Sequence, residues 1–512
     1  MSTTADDQTA AAALDTGGIA GHPRGLTTLF FTEMWERFSF YGMKAILSLY
    51  MTAPLMMGGM ELSDAHAGLI LGNYTSSVYL TPLVGGWLAD RYLGTRLAVL
   101  IGGIVIACGH FSLAVPSMAT FYLGLILITL GTGLLKPNMS AMVGQLYAAG
   151  DARRDAGFSI YYMGINLGAF IAPLVCGFLA QHPLFKHFIV SMGFKPENSW
   201  HWGFAAAGVG MVLGLTQYVL GGNRLRGIGL RPARRSSGPA SESSGAADVV
   251  AIFLTMLGAA AGFLVSYRVN HAISFETALF PTVVGGALGY LAAVLRGLRG
   301  DELKRVLVIF ILCAFSVIFW MSFEQSAGSL TLFADRFTRN SIFGHEYPSS
   351  WYQAVQPLFV ILLAPVFAAL WVKLGRRQPS SPTKFAFGLL FAGMAFGLMA
   401  LASTLTGAGR VSPLWLVFCY LLQTFGELCL SPVGLSTVTR LSPARLVGLM
   451  MGTWFLFTSF GEFIAGWSMR YLNENDQARL FGTVAGITFV AAAILFALVP
   501  LIRKLIPQGA EG

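Results

Sequence analysis

Long stretches of this chain contain no Asp, Glu, Lys or Arg, and this feature restricts the fold more than any other. A helix needs about 20 mostly apolar residues to cross a hydrocarbon core of about 30 Å. The uncharged runs cover 65–89, 97–135, 156–185, 198–223, 249–267, 277–295, 306–323, 347–372, 385–409, 411–426, 446–461 and 480–502. The run 97–135 is about twice the length of one span, and Val115-Pro116-Ser117 divides it. With the apolar, charge-bearing segment 26–53, the runs predict fourteen spanning helices.

The composition restricts the class of protein in the same direction. Charged residues make up 11% of the 512 residues and hydrophobic residues 55%, whereas a soluble domain carries about 25% charge. A disordered chain, a disulfide scaffold and an ordinary soluble enzyme are therefore excluded. Strands of a membrane barrel alternate polar and apolar residues, and these runs do not alternate. The sequence predicts an all-α membrane protein.

The positions of lysine and arginine predict the orientation. An even number of spans places both termini on one side, and 22 of the 33 basic residues fall on that side, against eight on the other. Basic residues favour the cytoplasmic side. We therefore predict a multi-pass protein of the cytoplasmic (inner) membrane with both termini in the cytoplasm. The first 24 residues lack an apolar core, so no cleaved signal peptide is expected. The net charge of +9 reflects this topology, and no nucleic-acid partner is predicted.

A linker rich in Arg, Gly and Ser, 223–247, follows the sixth span and divides the chain. Twelve core spans in two six-helix bundles resemble the major facilitator superfamily, in which two halves rock about a midplane site. The two additional spans, 249–267 and 276–297, are interpreted as a structural hairpin. The predicted organisation is a cytoplasmic tail (1–24), an N-terminal bundle (25–222), the linker with the hairpin (223–300), a C-terminal bundle (301–505) and a tail (506–512).

The first span contains three charged residues on one helical face. Glu33, Glu36 and Arg37 are spaced i, i+3 and i+4, so Arg37 can pair with either carboxylate. A charge at the bilayer centre costs at least about 2.5–3.5 kcal/mol, and such residues usually serve function. Two carboxylates beside one guanidinium form a candidate proton acceptor; the alternative is an ion pair that only locks the span in the bundle. Lys44 lies roughly 16 Å from Glu33 along the helix axis, in a different layer nearer the outside.

Charged residues in the other spans are segregated by sign. Lys136 lies in the fourth span, whereas Glu324, Glu427 and Glu462 lie in the second half of the chain. A slot between basic and acidic halves suits a zwitterion that carries a carboxylate and an ammonium group. The alternative is that Lys136 and Glu324 simply pair across the interface. Four aromatic residues near these charges either wall side-chain pockets or only pack: Tyr41, Tyr79, Trp320 and Trp454.

The usual metal ligands show no metal-binding spacing. The five cysteines lie in apolar spans without a CxxC pair, and a free cysteine packs as a small hydrophobe. The eight histidines form no HExxH or similar pattern. His110, inside the third span, either titrates near neutral pH or has a hydrogen-bonded packing role, and we favour packing. We predict no metal site and no cofactor.

Several motifs, in order along the chain, resemble the proton-coupled oligopeptide transporters of the major facilitator superfamily. Glu33-Met34-Trp35-Glu36-Arg37-Phe38 resembles the ExxER signature of that family, and 158–170 resembles its second signature. Segment 85–96 resembles the superfamily's loop motif after span two, with Gly85, Asp90, Arg91, Gly94 and Arg96. Two additional helices between the halves are a trait of bacterial members.

This resemblance implies a proton symporter that imports di- and tripeptides by alternating access, with protons as the coupling ion, and that functions as a monomer in the bilayer. The implied proton-coupling residues are Glu33, Glu36, Arg37, Lys136 and Glu324. The implied peptide-binding residues are Arg37, Tyr41, Tyr79, Lys136, Asn166, Trp320, Glu324, Gln356, Glu427, Trp454 and Thr458. Lys44 and Ser350 fall at the outer gate, Lys136 and Glu324 at an interlobe pair, and the loop motif's Asp and Arg would pin helix ends.

The sequence departs from the family pattern at several positions. Phe40 stands where Tyr is frequent, Gln356 where Asn is usual, and Ser350 where an outer-gate acid occurs. Without that acid, the Lys44 gate must be weaker or use another partner. Glu462 stands where Asn is common, and no role follows for it. The alternative function is a proton-driven exporter of drugs or organic anions. A membrane enzyme or a peptide receptor has less support, because neither a nucleophile–base pair nor an appended soluble domain is evident.

Overall fold

The computed structural model describes residues 15–148, 151–225, 227–230, 245–270, 275–296, 298–472 and 476–506. These residues form fourteen long helices, as predicted from the uncharged runs together with segment 26–53. They are α1 (Arg24–Thr52), α2 (Asp64–Leu88), α3 (Thr95–Leu113), α4 (Met118–Gln145), α5 (Arg154–Gln181), α6 (Ser199–Leu220), α7 (Gly245–Asn270), α8 (Phe275–Leu295), α9 (Gly300–Phe323), α10 (Val355–Leu374), α11 (Ser381–Thr404), α12 (Leu414–Leu441), α13 (Val447–Ser468) and α14 (Gln477–Leu505).

Smaller elements occupy two of the loops. A short helix, Pro183–Ser191, follows α5, and another, Ser329–Phe337, follows α9. A small hairpin of β1 (Ser341–Ile342) and β2 (His345–Glu346) precedes α10. The outermost parts of both predicted tails (1–14 and 507–512), and residues 226 and 231–244 of the predicted linker, lie outside the described residues.

Eleven helical segments among the described residues are long and apolar enough to span a membrane. Helices α1, α2 and α8 are not among them, although α8 is apolar over Thr277–Ala293. Helix α1 carries four charged side chains in its middle, which lower its hydropathy. The predicted fold class, an all-α membrane protein, is confirmed.

Successive long helices run in opposite directions, so an even number of spans places residues 24 and 505 at the same face. We call this the terminal face and the opposite one the distal face. Helices α1–α6 pack together as a first lobe and α9–α14 as a second, while α7 packs mainly on α8. Helix α8 contacts both lobes. It packs on α2 of the first lobe, and Phe280 stacks on Phe463 of α13 in the second lobe with ring centroids 4.3 Å apart.

Small residues let the two lobes meet closely where α2 crosses α13. Gly68 and Gly72 of α2 face Gly466 of α13. A Cβ atom at Gly466 would lie 2.5 Å from the Gly68 carbonyl oxygen and 2.5 Å from the Gly72 nitrogen. Both groups belong to the backbone and cannot move aside as a side chain could. Close backbone approach through small residues is typical of helix contacts in membranes.

Replacing Gly466 with alanine is therefore expected to destabilise the protein. Overpacking of this kind costs about 1–3 kcal/mol, which should lower the midpoint of thermal unfolding in detergent by several degrees. Gly486 of α14 is the matched control, because a Cβ there meets nothing within 4 Å. Gly486→Ala should leave the midpoint unchanged or raise it slightly, since alanine favours helix by up to about 1 kcal/mol. Equal midpoints for the two variants would contradict the proposed close approach.

A polar cluster at the terminal face holds the segment before α1. The His22 ring bonds the Tyr147 hydroxyl at 2.8 Å, and burial raises the pKa of Tyr147 to about 12. Arg153 pairs with Asp151 at 2.9 Å and holds the pKa of that carboxyl below its ordinary value. Arg153 also donates to the carbonyl of Gly21 at 3.4 Å. Residues 15–23 are thus anchored beside the loop between α4 and α5.

Candidate functional site

Helix α1 presents the predicted charged triad to the interior of the first lobe. Glu33, Glu36 and Arg37 are each at most 4% exposed. Arg37 Nε lies 3.2 Å from Glu33 Oε1 and also donates to Glu36. The hydroxyl of Tyr161, on α5, lies beside Glu33. One oxygen of each carboxylate and one guanidinium nitrogen have no hydrogen-bond partner among the described residues. The triad therefore carries excess negative charge and unused hydrogen-bonding capacity.

The ion pair that joins the two lobes is formed by Lys44 and Glu324. Lys44 Nζ lies 2.5 Å from Glu324 Oε2, and both side chains are buried. The prediction that Lys136 pairs with Glu324 is wrong in this structure. Lys136 Nζ instead lies 4.2 Å from the centroid of the Tyr79 ring. The predicted outer-gate lysine thus has an acid partner, which is Glu324 rather than residue 350.

The depth of each residue along its helix explains this pairing. At 1.5 Å rise per residue, Lys44 lies roughly 30 Å from the terminal-face end of α1 and Glu324 roughly 36 Å from that of α9. Lys136 lies only roughly 14 Å from the terminal-face end of α4. Lys44 and Glu324 therefore share a layer in the distal half, and Lys136 belongs to a layer nearer the terminal face.

Phe40 links the two basic groups of α1. The Arg37 guanidinium lies 5.3 Å from the centroid of the Phe40 ring, and Lys44 Nζ lies 5.7 Å from it. A ring face attracts cations, most strongly where water is excluded. The phenylalanine at this position offers no hydroxyl, but its ring stabilises both cations.

The acidic residues of the second lobe reach the same interior. Gln356 donates a hydrogen bond to Glu427, so the glutamine that replaces the usual asparagine does contact this acid. Tyr41 lies within electrostatic range of Arg37 and Lys44 on one side and of Glu324 and Glu427 on the other. The basic pole of the first lobe and the acidic pole of the second therefore meet around Tyr41.

Glu462 of α13 belongs to this charged interior. It is 1% exposed, and neither of its oxygens has a hydrogen-bond donor among the described residues. The charges of Glu324, Lys44 and Lys136 act on it. No role for this residue follows from its own span, which contains no information on the interlobe ion pair beside it.

Two further predicted binding residues, Asn166 and Trp320, lie among polar and aromatic neighbours respectively. The Asn166 amide donates to the carbonyl of Tyr162 at 3.0 Å, and Tyr162 lies near Glu427. Trp320 packs edge-on against Phe319 and Phe323, and its indole nitrogen has no partner among the described residues.

Two predicted pocket residues lie deeper in the second lobe. Trp454 packs against Phe385 and the backbone of Gly434 in the hydrophobic core. The Thr458 hydroxyl donates to the carbonyl of Trp454 at 3.0 Å. The structure gives neither side chain a polar contact with the charged residues around Tyr41.

Polar contacts join the lobes at the distal face. Arg336 pairs with Asp64 through two hydrogen bonds of 2.8 Å, and the Ser48 hydroxyl donates to the carbonyl of Ala327 at 2.8 Å. The predicted gate residue Ser350 donates its backbone N–H to the Gln181 side chain at 3.2 Å. Sequence reasoning missed Asp64, Arg336 and Gln181, because charged and polar residues at the ends of spans are ordinary. We call the three contacts Arg336–Asp64, Ser48–Ala327 and Ser350–Gln181 the distal seal.

Solvent reaches the interior from the terminal half of the molecule. Tyr162 is 40% exposed although it lies near Glu427 and Tyr41. Lys136 and Glu427 are half-buried, whereas Lys44 and Glu324 in the distal layer are buried. The interior is thus closed at the distal face and accessible from the terminal face.

The loop motif after α2 has one anchoring arginine. Gly94 has a φ of +77°, a conformation that favours glycine, and Gly85 lies against the backbone of Gly133 where α2 crosses α4. Arg96 donates to the carbonyl of Gly222 at 2.7 Å and so ties this loop to the end of α6.

The other charged residues of the motif do not act as predicted. Arg91 is exposed and stacks on Trp87 and Tyr92, at 5.9 and 5.8 Å. Asp90 is also exposed, and neither a hydrogen bond nor an ion pair joins it to the described residues. The expectation that Asp90 pins a helix end is therefore wrong here. The π-helical turn Ala89–Leu93 directs Ala89 inward and leaves the next residues at the surface.

Two helical lobes enclose a charged interior that is closed at the distal face and accessible from the terminal face. This arrangement defines a membrane transporter of the major facilitator fold. Comparison with known proteins gives the family. The family model described as POT family matches residues 96–484, and the chain belongs to this family of proton-coupled oligopeptide transporters. It is a multi-span transporter and not an enzyme.

Individual relatives match over nearly the whole chain. The peptide transporter YePEPT of Yersinia enterocolitica is 38% identical over 514 residues, covering 95% of each chain. A di-/tripeptide transporter of Lactococcus lactis subsp. cremoris is 36% identical, covering 95% of this chain and 97% of that one. Among solved structures, a mutant peptide transporter in complex with alafosfalin is 40% identical, with a TM-score of 0.83 and coverage of 98% and 99%.

Proposed function

We propose that this protein is a proton-coupled symporter that imports di- and tripeptides. Both termini would lie in the cytoplasm, so that the distal face is external, and one chain would suffice because both poles of the site belong to it. The observation that carries the proposal is the meeting of Arg37 and Lys44 with Glu324 and Glu427 around Tyr41. The relatives, named as peptide transporters, support the same substrate class.

A short peptide is a zwitterion whose charges match the two poles. The peptide carboxylate would bind near Arg37 and Lys136, and the N-terminal ammonium would bind Glu427, which Gln356 already holds by a hydrogen bond. Tyr41 and Tyr79 are half-buried between the poles, and they would contact the peptide backbone and side chains. Asn166 and Trp320 would line the same site, while Trp454 and Thr458 would support it from behind.

The charge balance of the interior provides for proton coupling. Its charged groups are five carboxylates (Glu33, Glu36, Glu324, Glu427 and Glu462) and three cations (Arg37, Lys44 and Lys136). A zwitterionic peptide does not change this excess of negative charge. Buried charges are stable only when paired or neutralised. Protons are the neutralising ion we propose, taken up at the carboxylates and released when the terminal side opens.

The transport cycle would alternate access to the two faces. In the observed state the distal seal is closed and the interior is accessible from the terminal face. To load peptide from outside, the Lys44–Glu324 pair and the Asp64–Arg336 pair must separate while the lobes close at the terminal face. Helix α4 contains Pro137, α5 contains Pro173 and α12 contains Pro432, and proline permits bending at such positions.

Uptake of labelled dialanine into proteoliposomes tests the proposal. The membrane potential is set inside-negative, with the same pH on both sides. One inward proton then contributes about 2.3 kcal/mol at 100 mV, so we expect dialanine to accumulate roughly fifty-fold per coupled proton. An ionophore that collapses the gradient should abolish accumulation but not equilibration. Absence of accumulation above this control would remove the symport proposal. The exporter alternative predicts instead that dialanine does not compete with the transported substrate, and no relative named above supports it.

A further inference from the structure

Glu462 lies at the interface between the lobes, and packing does not explain why a carboxyl group is buried there. Gly461, the preceding residue, lies against the backbone of Val317 and Met321 on α9, and Phe463, the following residue, lies against Gly72 on α2. Glu462 is 1% exposed, and both carboxyl oxygens lack a donor among the described residues. A buried carboxyl group without a donor is costly as an anion.

The charged and titratable groups that face Glu462 come from four helices or helix ends. They are Lys44 on α1, Tyr79 on α2, Lys136 on α4 and Glu324 at the end of α9. Neither lysine forms an ion pair with Glu462. Lys44 Nζ pairs with Glu324 at 2.5 Å, and Lys136 Nζ lies 4.2 Å from the centroid of the Tyr79 ring. Glu462 is therefore left with another carboxylate as its close polar neighbour.

The contact between Glu462 and Glu324 has a definite chemical requirement. The Glu324 carboxylate is the close polar neighbour of Glu462, yet ionised carboxylates have only acceptors. A hydrogen bond between them exists only when one of the two holds a proton. Because Glu324 is the partner of Lys44, the proton belongs on Glu462. The buried group of Lys44, Glu324 and protonated Glu462 then has no net charge.

We propose that Glu462 is a proton-carrying residue of the transport cycle, in addition to the Glu33–Glu36–Arg37 triad. When the distal face is open, the ionised carboxylate of Glu462 takes up a proton from the external solution. Closure brings Lys44 onto Glu324, and Glu462 donates its hydrogen bond to the same carboxylate. When the proton leaves toward the terminal face, two carboxylates remain beside one lysine. Their repulsion weakens the distal seal and favours the return of the empty transporter.

This inference rests on the proposed symport and predicts one more proton per peptide than the triad alone carries. The measurement is the equilibrium accumulation of dialanine in proteoliposomes at a fixed membrane potential, which depends on stoichiometry and not on rate. Glu462→Gln should lower the accumulation ratio by roughly fifty-fold at 100 mV, the contribution of one proton. Glu302→Gln is the matched control, because Glu302 lies in the same lobe and pairs with Arg445 at the surface. It should accumulate dialanine as the native protein does.

A second readout does not require transport. Infrared difference spectroscopy of the purified protein should show the carbonyl band of a protonated carboxyl group, which is lost in Glu462→Gln and retained in Glu302→Gln and in the conservative variant Glu462→Asp. An unchanged accumulation ratio in an active Glu462→Gln, or an unchanged band, would overturn the proposal. If the native protein does not accumulate dialanine, the symport itself fails, and the infrared band still decides whether Glu462 holds a proton.

Discussion

Replacing Lys44 with alanine is expected to open the distal face and to reduce gradient-driven dialanine uptake by at least a hundredfold. The substitution leaves Glu324 buried without its cation, next to Glu462. Removing one partner of a buried ion pair costs about 3–5 kcal/mol, which is a factor of roughly 10² to more than 10³ in the population of the closed state. The free energy is lost only in the closed state, because Glu324 can be hydrated when the lobes separate at that face.

The distal opening can be measured directly with a cysteine placed at Ser350. This side chain is fully buried in the distal seal, so a membrane-impermeant maleimide should react slowly in the native background and much faster in Lys44→Ala. The exposed native Cys108 is replaced by serine in all proteins compared. Glu324→Gln added to Lys44→Ala should restore part of the closed population, because the unpaired charge is then removed.

Lys304 provides the matched control for this prediction. It pairs with Asp301 at 3.0 Å, but both side chains are at least half-exposed. Surface pairs contribute about 0–1 kcal/mol, so Lys304→Ala should change labelling and uptake by no more than a few-fold. If Lys44→Ala labels as slowly as Lys304→Ala, the interlobe pair does not hold the distal face closed.

Much of the architecture could be predicted because lipid imposes a simple rule on sequence. Uncharged runs of spanning length predict thirteen of the fourteen long helices, and the apolar, charge-bearing segment 26–53 predicts α1. The sign of the intramembrane charges also separated the lobes, and Tyr41 does lie between the two poles. These predictions depend on the length and charge of each span, which are local properties.

The specific pairs depend on depth and on rotation of the helices, and these were harder to predict. The spacing within α1 predicts that Lys44 lies in a different layer from the triad, and the family resemblance pairs Glu324 with Lys136. Counting residues from the ends of α1 and α9 instead brings Lys44 and Glu324 together. Asp64 and Arg336 are far apart in sequence and meet only because the distal ends of α2 and the helix after α9 converge. No single span contains the information for such contacts.

Aromatic residues illustrate the same difficulty. Trp320 and Trp454 are both buried tryptophans near intramembrane acids in sequence, but Trp454 faces the core of the second lobe through Gly434 and Phe385. A transmembrane helix is apolar on most of its surface. The periodicity of its sequence therefore does not distinguish the face toward a substrate from the face toward another helix. The distinction becomes visible only when the neighbouring helices are in place.

Replacing Glu427 with glutamine is expected to weaken dialanine binding by roughly 30-fold to more than 10³-fold. Glu427 is the acid proposed to bind the peptide ammonium, and truncating one partner of a buried, hydrogen-bonded charge pair costs about 2–5 kcal/mol. Gln356, which donates to Glu427, can donate to the amide oxygen of the new glutamine, so the local geometry should be kept. Binding is measured by calorimetry or by ligand-induced thermal stabilisation of the purified protein.

Acetylated dialanine makes this test specific for the ammonium group, since acetylation removes the positive charge and leaves the carboxylate that Arg37 and Lys136 would bind. If Glu427 acts through the ammonium, the acetylated peptide binds the native protein weakly, and Glu427→Gln weakens it little further. The two changes are then non-additive, as expected for groups in direct contact. Equal weakening of the free and acetylated peptides by Glu427→Gln would instead place Glu427 outside the ammonium site, and the assignment of the acidic pole would have to move to Glu324 or Glu462.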